Sequence, residues 1–144
     1  MKKHLVLIMS LVVLFGALAV AADAQKPEAA AEAAAQSWLN LVDSGKYAAS
    51  WDEAAEYFKS KITKSQWEEM LGTARTPLGG VRSRKLARAE HVTELPNAPK
   101  GDYVVIQYST SFANLPSAIE TVVPMLDKDG KWRVSGYFLK KATK

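Results

Sequence analysis

The chain has 144 residues, enough for one domain, and 48% of them are hydrophobic against 24% charged, a globular rather than a disordered balance. It has no cysteine, which excludes disulfides, thiolate metal sites, cysteine nucleophiles and a lipid-modified cysteine anchor. A net charge of +4 is too mild for the dense basic face of a nucleic-acid binder, so nucleic acid is not an expected partner.

Lys2, Lys3 and His4 precede a run from Leu5 to Ala22 that is nearly all apolar, and Ala22-Asp23-Ala24 has the small-x-small form of a cleavage site. That order is the order of a secretory signal peptide. The apolar run is at the lower edge of what spans a bilayer, and the alanine-rich polar stretch beyond it favours cleavage over an uncleaved anchor. The expectation is a signal peptide over residues 1–24 cut after Ala24, a polar lead over 25–32 and one domain over 33–141. The mature domain then carries a charge of about +3, lies in the periplasm or is secreted, and has no stable membrane insertion.

From Ala29 the composition is strongly helical, with Ala34, Trp38, Leu41 and Val42 forming an apolar stripe. Ser44-Gly45 ends this helix, the glycine suiting a left-handed position past the last turn. Tyr47, Trp51, Ala54, Ala55 and Phe58 predict one second helix, although Ser50-Trp51-Asp52-Glu53 also reads as a capping box. Thr63-Lys64-Ser65-Gln66 is a clearer capping box for a third helix, with Ile62 and Trp67 as its hydrophobic staple and Trp67, Met70, Leu71 and Ala74 as its apolar face. Pro77 and Gly79-Gly80 end it.

Beyond Gly80 the period becomes strand-like. Val81 to Glu94 is a long polar strand, and Leu95 to Gly101 is a loop by its proline and glycine content. Asp102 to Ala113 is a strong strand rich in β-branched and aromatic residues. Asn114 to Ser117 turns the chain into a strand over Ala118 to Leu126. Asp127-Lys128-Asp129-Gly130 is a hairpin turn whose Asp129-Gly130 supplies positive backbone angles, and Lys131 to Lys140 is the last strand, with Trp132, Val134 and Phe138 on one face. The fold class is therefore α+β: three N-terminal helices packed on a curved four-stranded antiparallel sheet. Such a sheet with helices across it often leaves a pocket at one end.

The run Trp38-Leu39, Val42-Asp43, Tyr47, Ser50-Trp51, Ala54-Ala55 resembles the start of a bacterial domain-of-unknown-function family, number 4019. So do Trp67, Arg75, Pro77-Leu78-Gly79, Arg82-Ser83-Arg84, Pro99, Gly101, Tyr103, Phe112, Glu120-Thr121-Val122, Gly130, Trp132-Arg133-Val134 and Gly136-Tyr137. The resemblance covers about Ala33 to Lys140. It implies a fold similar to the cystatin-like and nuclear-transport-factor-2-like cones, with a cavity, and it implies no activity. The wider superfamily includes isomerases, dehydratases and cyclases beside plain binding and association domains, so the fold decides no function.

Only His4 and His91 are present, and His4 belongs to the signal peptide. A serine-histidine-acid triad would have to use His91, and no nucleophile elbow accompanies it. Glu90 and Glu94 lie opposite His91 on an ideal strand, so the three read as a solvated strand end rather than a metal site. Phosphate loops, dinucleotide glycine patterns and zinc spacings are absent, and no cofactor is expected.

Small enzymes of the resembled superfamily often place an acid–base residue in the cavity, and Glu120 is the candidate. It sits mid-strand between Ile119 and Thr121, where an apolar setting can raise a carboxyl pKa and make it a base. Arg75 ends the third helix, where a cation suits the dipole. Arg82, Arg84 and Arg88 alternate along the first strand, either as an anion site or as a charged edge that discourages pairing with other chains. An Arg84–Glu120 pair would turn both from site into scaffold. Tyr108 and Tyr137 present hydroxyls to a pocket or serve as satisfied core tyrosines. Trp38, Trp51, Trp67 and Trp132 read as core.

The favoured reading is a non-enzymatic binding module that holds a small ligand or a partner protein in its cavity or on its sheet face, with Arg75, Arg84, Tyr108 and Glu120 as candidate ligand-binding residues. The alternatives are a small cavity enzyme of isomerase or hydrolase type with Glu120 as general base, and a structural domain that forms a homodimer through its sheet.

Overall fold

The computed structural model describes residues 26–143, so the expected signal peptide and its cleavage site lie outside the described residues. Helix α1 (Pro27–Asp43) opens on Pro27, where the missing N–H has no helical partner to lose. It closes as the glycine at position 45 requires: Gly45 has a φ of +73°, its N–H donates to Val42 O at 3.0 Å, and the Lys46 N–H donates to Leu41 O at 2.9 Å. This pair of reversed bonds fixes the last helical residue as Asp43. The buried stripe is Ala31, Ala35, Trp38, Leu39 and Val42, turned slightly from the expected one.

Among the described residues there are four α-helices where three were expected. The stretch from Tyr47 to Phe58 is not continuous but splits into α2 (Tyr47–Asp52) and α3 (Glu56–Lys61). The reason is tertiary. Ala55 is extended, with φ −61° and ψ 149°, and donates its N–H to Val134 O at 2.8 Å. Ala54 and Ala55 are wholly buried in that approach. Ser50 does not cap a helix either. It is buried within α2, donates its Oγ hydrogen to Tyr47 O, and accepts from the Trp67 indole at 2.9 Å, while Trp38 donates to its carbonyl at 2.8 Å.

The capping box at Thr63 is present in both directions and starts α4 (Lys64–Arg75). The buried face of α4 is Trp67 and Leu71, as expected, with Arg75 in place of Met70 and Ala74, which are exposed; Met70 is 58% exposed. Trp67 sets this rotation, since its indole reaches Ser50 and its ring meets Phe58 edge-on at 4.9 Å. A 3-10 turn over Thr76–Leu78 leads to Gly79, at φ +71°, where any Cβ would lie 2.9 Å from that of Ala113.

Strands β1 (Val81–Val92), β2 (Tyr103–Phe112), β3 (Leu115–Leu126) and β4 (Trp132–Lys141) form one antiparallel meander in the order β1-β2-β3-β4. Strand β3 starts at Leu115 rather than Ala118 because the turn before it is only Ala113-Asn114: Phe112 pairs directly with Leu115. In the β3–β4 hairpin only Gly130 has positive φ, at +81°, so Asp129 does not share that role; its carboxylate instead grips Arg133.

Helix α1 lies across all four strands on the inner sheet face. The core joins its buried stripe to Trp67 and Leu71 of α4 and to Val104, Ile106, Tyr108, Val122 and Val134 of the sheet. Trp38 and Trp67 are core as expected, whereas Trp51 and Trp132 are half-buried and pack against it.

Bulges redistribute the side chains that simple alternation assigned to faces. Pairing steps from Leu86–Tyr108 to Arg88–Gln107, which leaves Ala87 extra and puts Arg88 on the opposite face from Arg84. Arg82 is itself the extra residue between Val81 and Ser83. On β4, Val123–Gly136 is followed by Pro124–Val134, so Ser135 is extra and Phe138 faces outward, away from Val134 and Trp132.

Candidate ligand-binding site

The sheet register assembles the polar residues. Tyr108 pairs with Leu86 on one side and Glu120 on the other, and Glu120 pairs with Leu139, so these four form one inward row. Arg84 and Thr110 head the adjacent row. The end of α1 supplies Asp43 and the end of α4 supplies Arg75.

Glu120 is fully buried. Its Oε1 accepts from Arg84 Nε at 2.8 Å and from Thr110 Oγ1 at 2.6 Å. Its Oε2 accepts from the Tyr137 hydroxyl and lies 3.9 Å from Arg75 Nη1. Asp43 completes the set, taking Arg75 Nη2 at 2.8 Å and both terminal nitrogens of Arg84 at 2.8 and 3.0 Å. Two guanidinium groups thus face two carboxylates, and the charges close to zero. Arg75 also lies over the Phe112 ring at 4.8 Å, and its Nε is buried with no partner among the described residues.

The titrations follow from this packing. Burial pushes the Asp43 carboxyl up, but the hydrogen bonds and charges of Arg84 and Arg75 outweigh it and hold the group below its ordinary value. Burial also lowers Arg84, and its bonds to Asp43 and Glu120 more than reverse that. Tyr137 is driven far up, first by burial and then by the adjacent charge of Glu120, so it stays a donor. A general base needs a lone pair directed at a proton that substrate can bring to it. Both oxygens of Glu120 are bonded within the protein, and no part of the residue is exposed.

Beside this network lies a cleft of about 250 Å³ between α1 and β1–β2. Helix α1 lines it with Glu32, Gln36, Leu39 and Asn40, and the strands with Arg84, Leu86 and Tyr108. Tyr108 is 2% exposed, and its hydroxyl is buried without a hydrogen-bond partner among the described residues. A buried hydroxyl left unsatisfied costs about 1–3 kcal/mol. Burial, aided by the charge of Glu32 against the opposing pull of Arg84, pushes the Tyr108 phenol up to about 12, so it carries its proton at neutral pH. Three of the five guanidinium N–H groups of Arg84 serve Glu120 and Asp43, which leaves two uncommitted. Glu32 accepts from Gln36 at 3.2 Å and has no lysine or arginine partner among the described residues.

Of the four candidate site residues, Arg84 and Tyr108 line the cleft, while Arg75 and Glu120 stand behind it and hold Arg84 in place. The Arg84–Glu120 pair exists. Of the remaining basic residues of β1, Arg88 bonds Glu90 on the surface and Arg82 is exposed. His91 meets Asp102 at 2.8 Å across the β1–β2 end, a partner that strand alternation did not supply. Asp43 and Thr110 were not singled out by sequence. Asp43 carried a usable signal: an acid in the last turn of a helix opposes the dipole and calls for a cation nearby.

The arrangement is that of an α+β domain whose buried ions serve as scaffold beside a small polar cleft. The model of the family described as Protein of unknown function (DUF4019) matches residues 34–137, and the chain belongs to that family. No curated protein matches it.

Proposed function

We propose that this chain is an exported, non-enzymatic binding module that holds a small ligand in the cleft between α1 and β1–β2. The observation that carries this reading is the hydroxyl of Tyr108, buried, protonated and without a partner among the described residues, on a residue that lines an open cleft. Native proteins rarely leave such a group without a partner, and a ligand oxygen accepting from it removes the cost. The cleft falls just under the range of about 300–1,000 Å³ that takes drug-sized molecules, which favours a smaller ligand. Export rests on the basic start, apolar run and Ala22-Asp23-Ala24 exit, with cleavage after Ala24 and a periplasmic or secreted product. Helices laid across one face of a twisted meander, with a cleft beside them, support placing the domain among the nuclear-transport-factor-2-like cones.

A second reading is association through the outer sheet face, favoured by Phe138, which is 64% exposed there. Native mass spectrometry of the protein purified from an exporting bacterial host separates the two. The first reading expects a retained small-molecule mass that Tyr108→Phe loses. A dimer with nothing bound, in both forms, contradicts it and favours association. The denatured mass of the same sample reports whether the chain starts at Gln25.

A further inference from the structure

We propose that the cleft takes a small protonated amine that also carries a neutral hydrogen-bond acceptor, such as an amide carbonyl or a hydroxyl oxygen. This rests on the reading of the cleft as a binding site and adds the chemistry of its occupant.

Charge in the cleft is unbalanced. Arg84 is the cationic residue in the cleft wall, and Asp43 and Glu120 already offset it in a network that also contains Arg75. Glu32 is the lining carboxylate outside that network; its described bond is from the neutral Gln36. The cleft therefore carries one uncompensated negative charge. An anionic ligand would add like charge to Glu32 and to the two carboxylates, Asp43 and Glu120, that already surround Arg84. An ammonium gains a charge-assisted bond to Glu32. The other polar groups ask for the opposite partner: the Tyr108 hydroxyl and two N–H groups of Arg84 are donors awaiting an acceptor. Leu39 and Leu86 give apolar walls for the short spacer between the two ends.

The test uses three probes, each differing from the next by one group: β-alaninamide, propionamide and propionate. Each is titrated into the purified protein, with binding read from shifts of the Leu39, Leu86 and Tyr108 resonances. β-Alaninamide is expected to bind about tenfold or more tightly than propionamide, and propionate more weakly than both. Glu32→Gln abolishes the preference for the amine, and Tyr108→Phe weakens both amides. Glu32 is half-exposed and bonds an exposed glutamine, so E32Q leaves the fold in place. Tighter binding of propionate, or a preference that survives E32Q, overturns the amine assignment while leaving the cleft as a site. If no probe binds, the assignment also fails, and the retained mass with its loss in Tyr108→Phe then decides separately whether the cleft is a site.

Discussion

Glu120 and Tyr108 face each other across β2 and β3, equally buried and both beside Arg84, yet their surroundings are opposite in kind. Around Glu120 the two carboxylate oxygens together are met by donors from three strands, with Arg75 of α4 close by. Around Tyr108 the hydroxyl has no hydrogen-bond partner among the described residues. Buried polar groups thus divide into those that belong to the structure and those that belong to a site. A fully bonded ion is a fixed part of the scaffold, and its removal exposes the cost of its partners. An unbonded donor in the wall of a cleft is a cost the free protein carries and a ligand relieves.

The largest effect that this comparison predicts is at Glu120. Glu120→Ala leaves Arg84 without one carboxylate and Arg75 with Asp43 alone, and should destabilise the domain by about 3–5 kcal/mol, read from denaturant unfolding. A general base held for catalysis rather than for folding would show a much smaller loss. Asp43→Asn comes next, at about 1–3 kcal/mol near neutral pH. Its signature is in the pH dependence. The folded carboxyl titrates below its ordinary value of 3.8, so its contribution is complete above that value and is lost as pH falls through the lower folded one. The acid limb of the stability curve below pH about 4 should therefore be flatter in D43N than in the parent. Thr110→Val, nearly isosteric, removes one of the bonds to Glu120 Oε1 and should cost about 1 kcal/mol. A neutral result there would mean that the remaining donors alone satisfy that oxygen.

Much of the fold was legible because short-range chemistry determined it. Thr63 with Gln66, Gly45 past α1 and the alternating apolar residues of β2 each specify a local geometry that tertiary packing kept. The meander order followed from four successive strands with no helix between them. What escaped the sequence was set by distant partners. The break after α2 exists because Ala55 bonds to Val134, some eighty positions away, and nothing near Glu53 announces it. The extra residues Ala87 and Ser135 send Arg88 and Phe138 to the outer face, which strict alternation cannot foresee. The candidate site was legible in its members more than in its arrangement. Arg84, Glu120, Tyr108 and Arg75 were identifiable as unusual residues, but only the register shows Arg84 belonging to both regions.

The comparison stands or falls on the Tyr108 hydroxyl, and the most direct measurement is the unfolding free energy of ligand-free Tyr108→Phe against the parent. A hydroxyl with no partner predicts a variant as stable as the parent or more stable, by up to about 1 kcal/mol. A loss of about 1 kcal/mol or more, of the size expected for Thr110→Val, would mean that the hydroxyl is bonded in the free protein and would contradict the account.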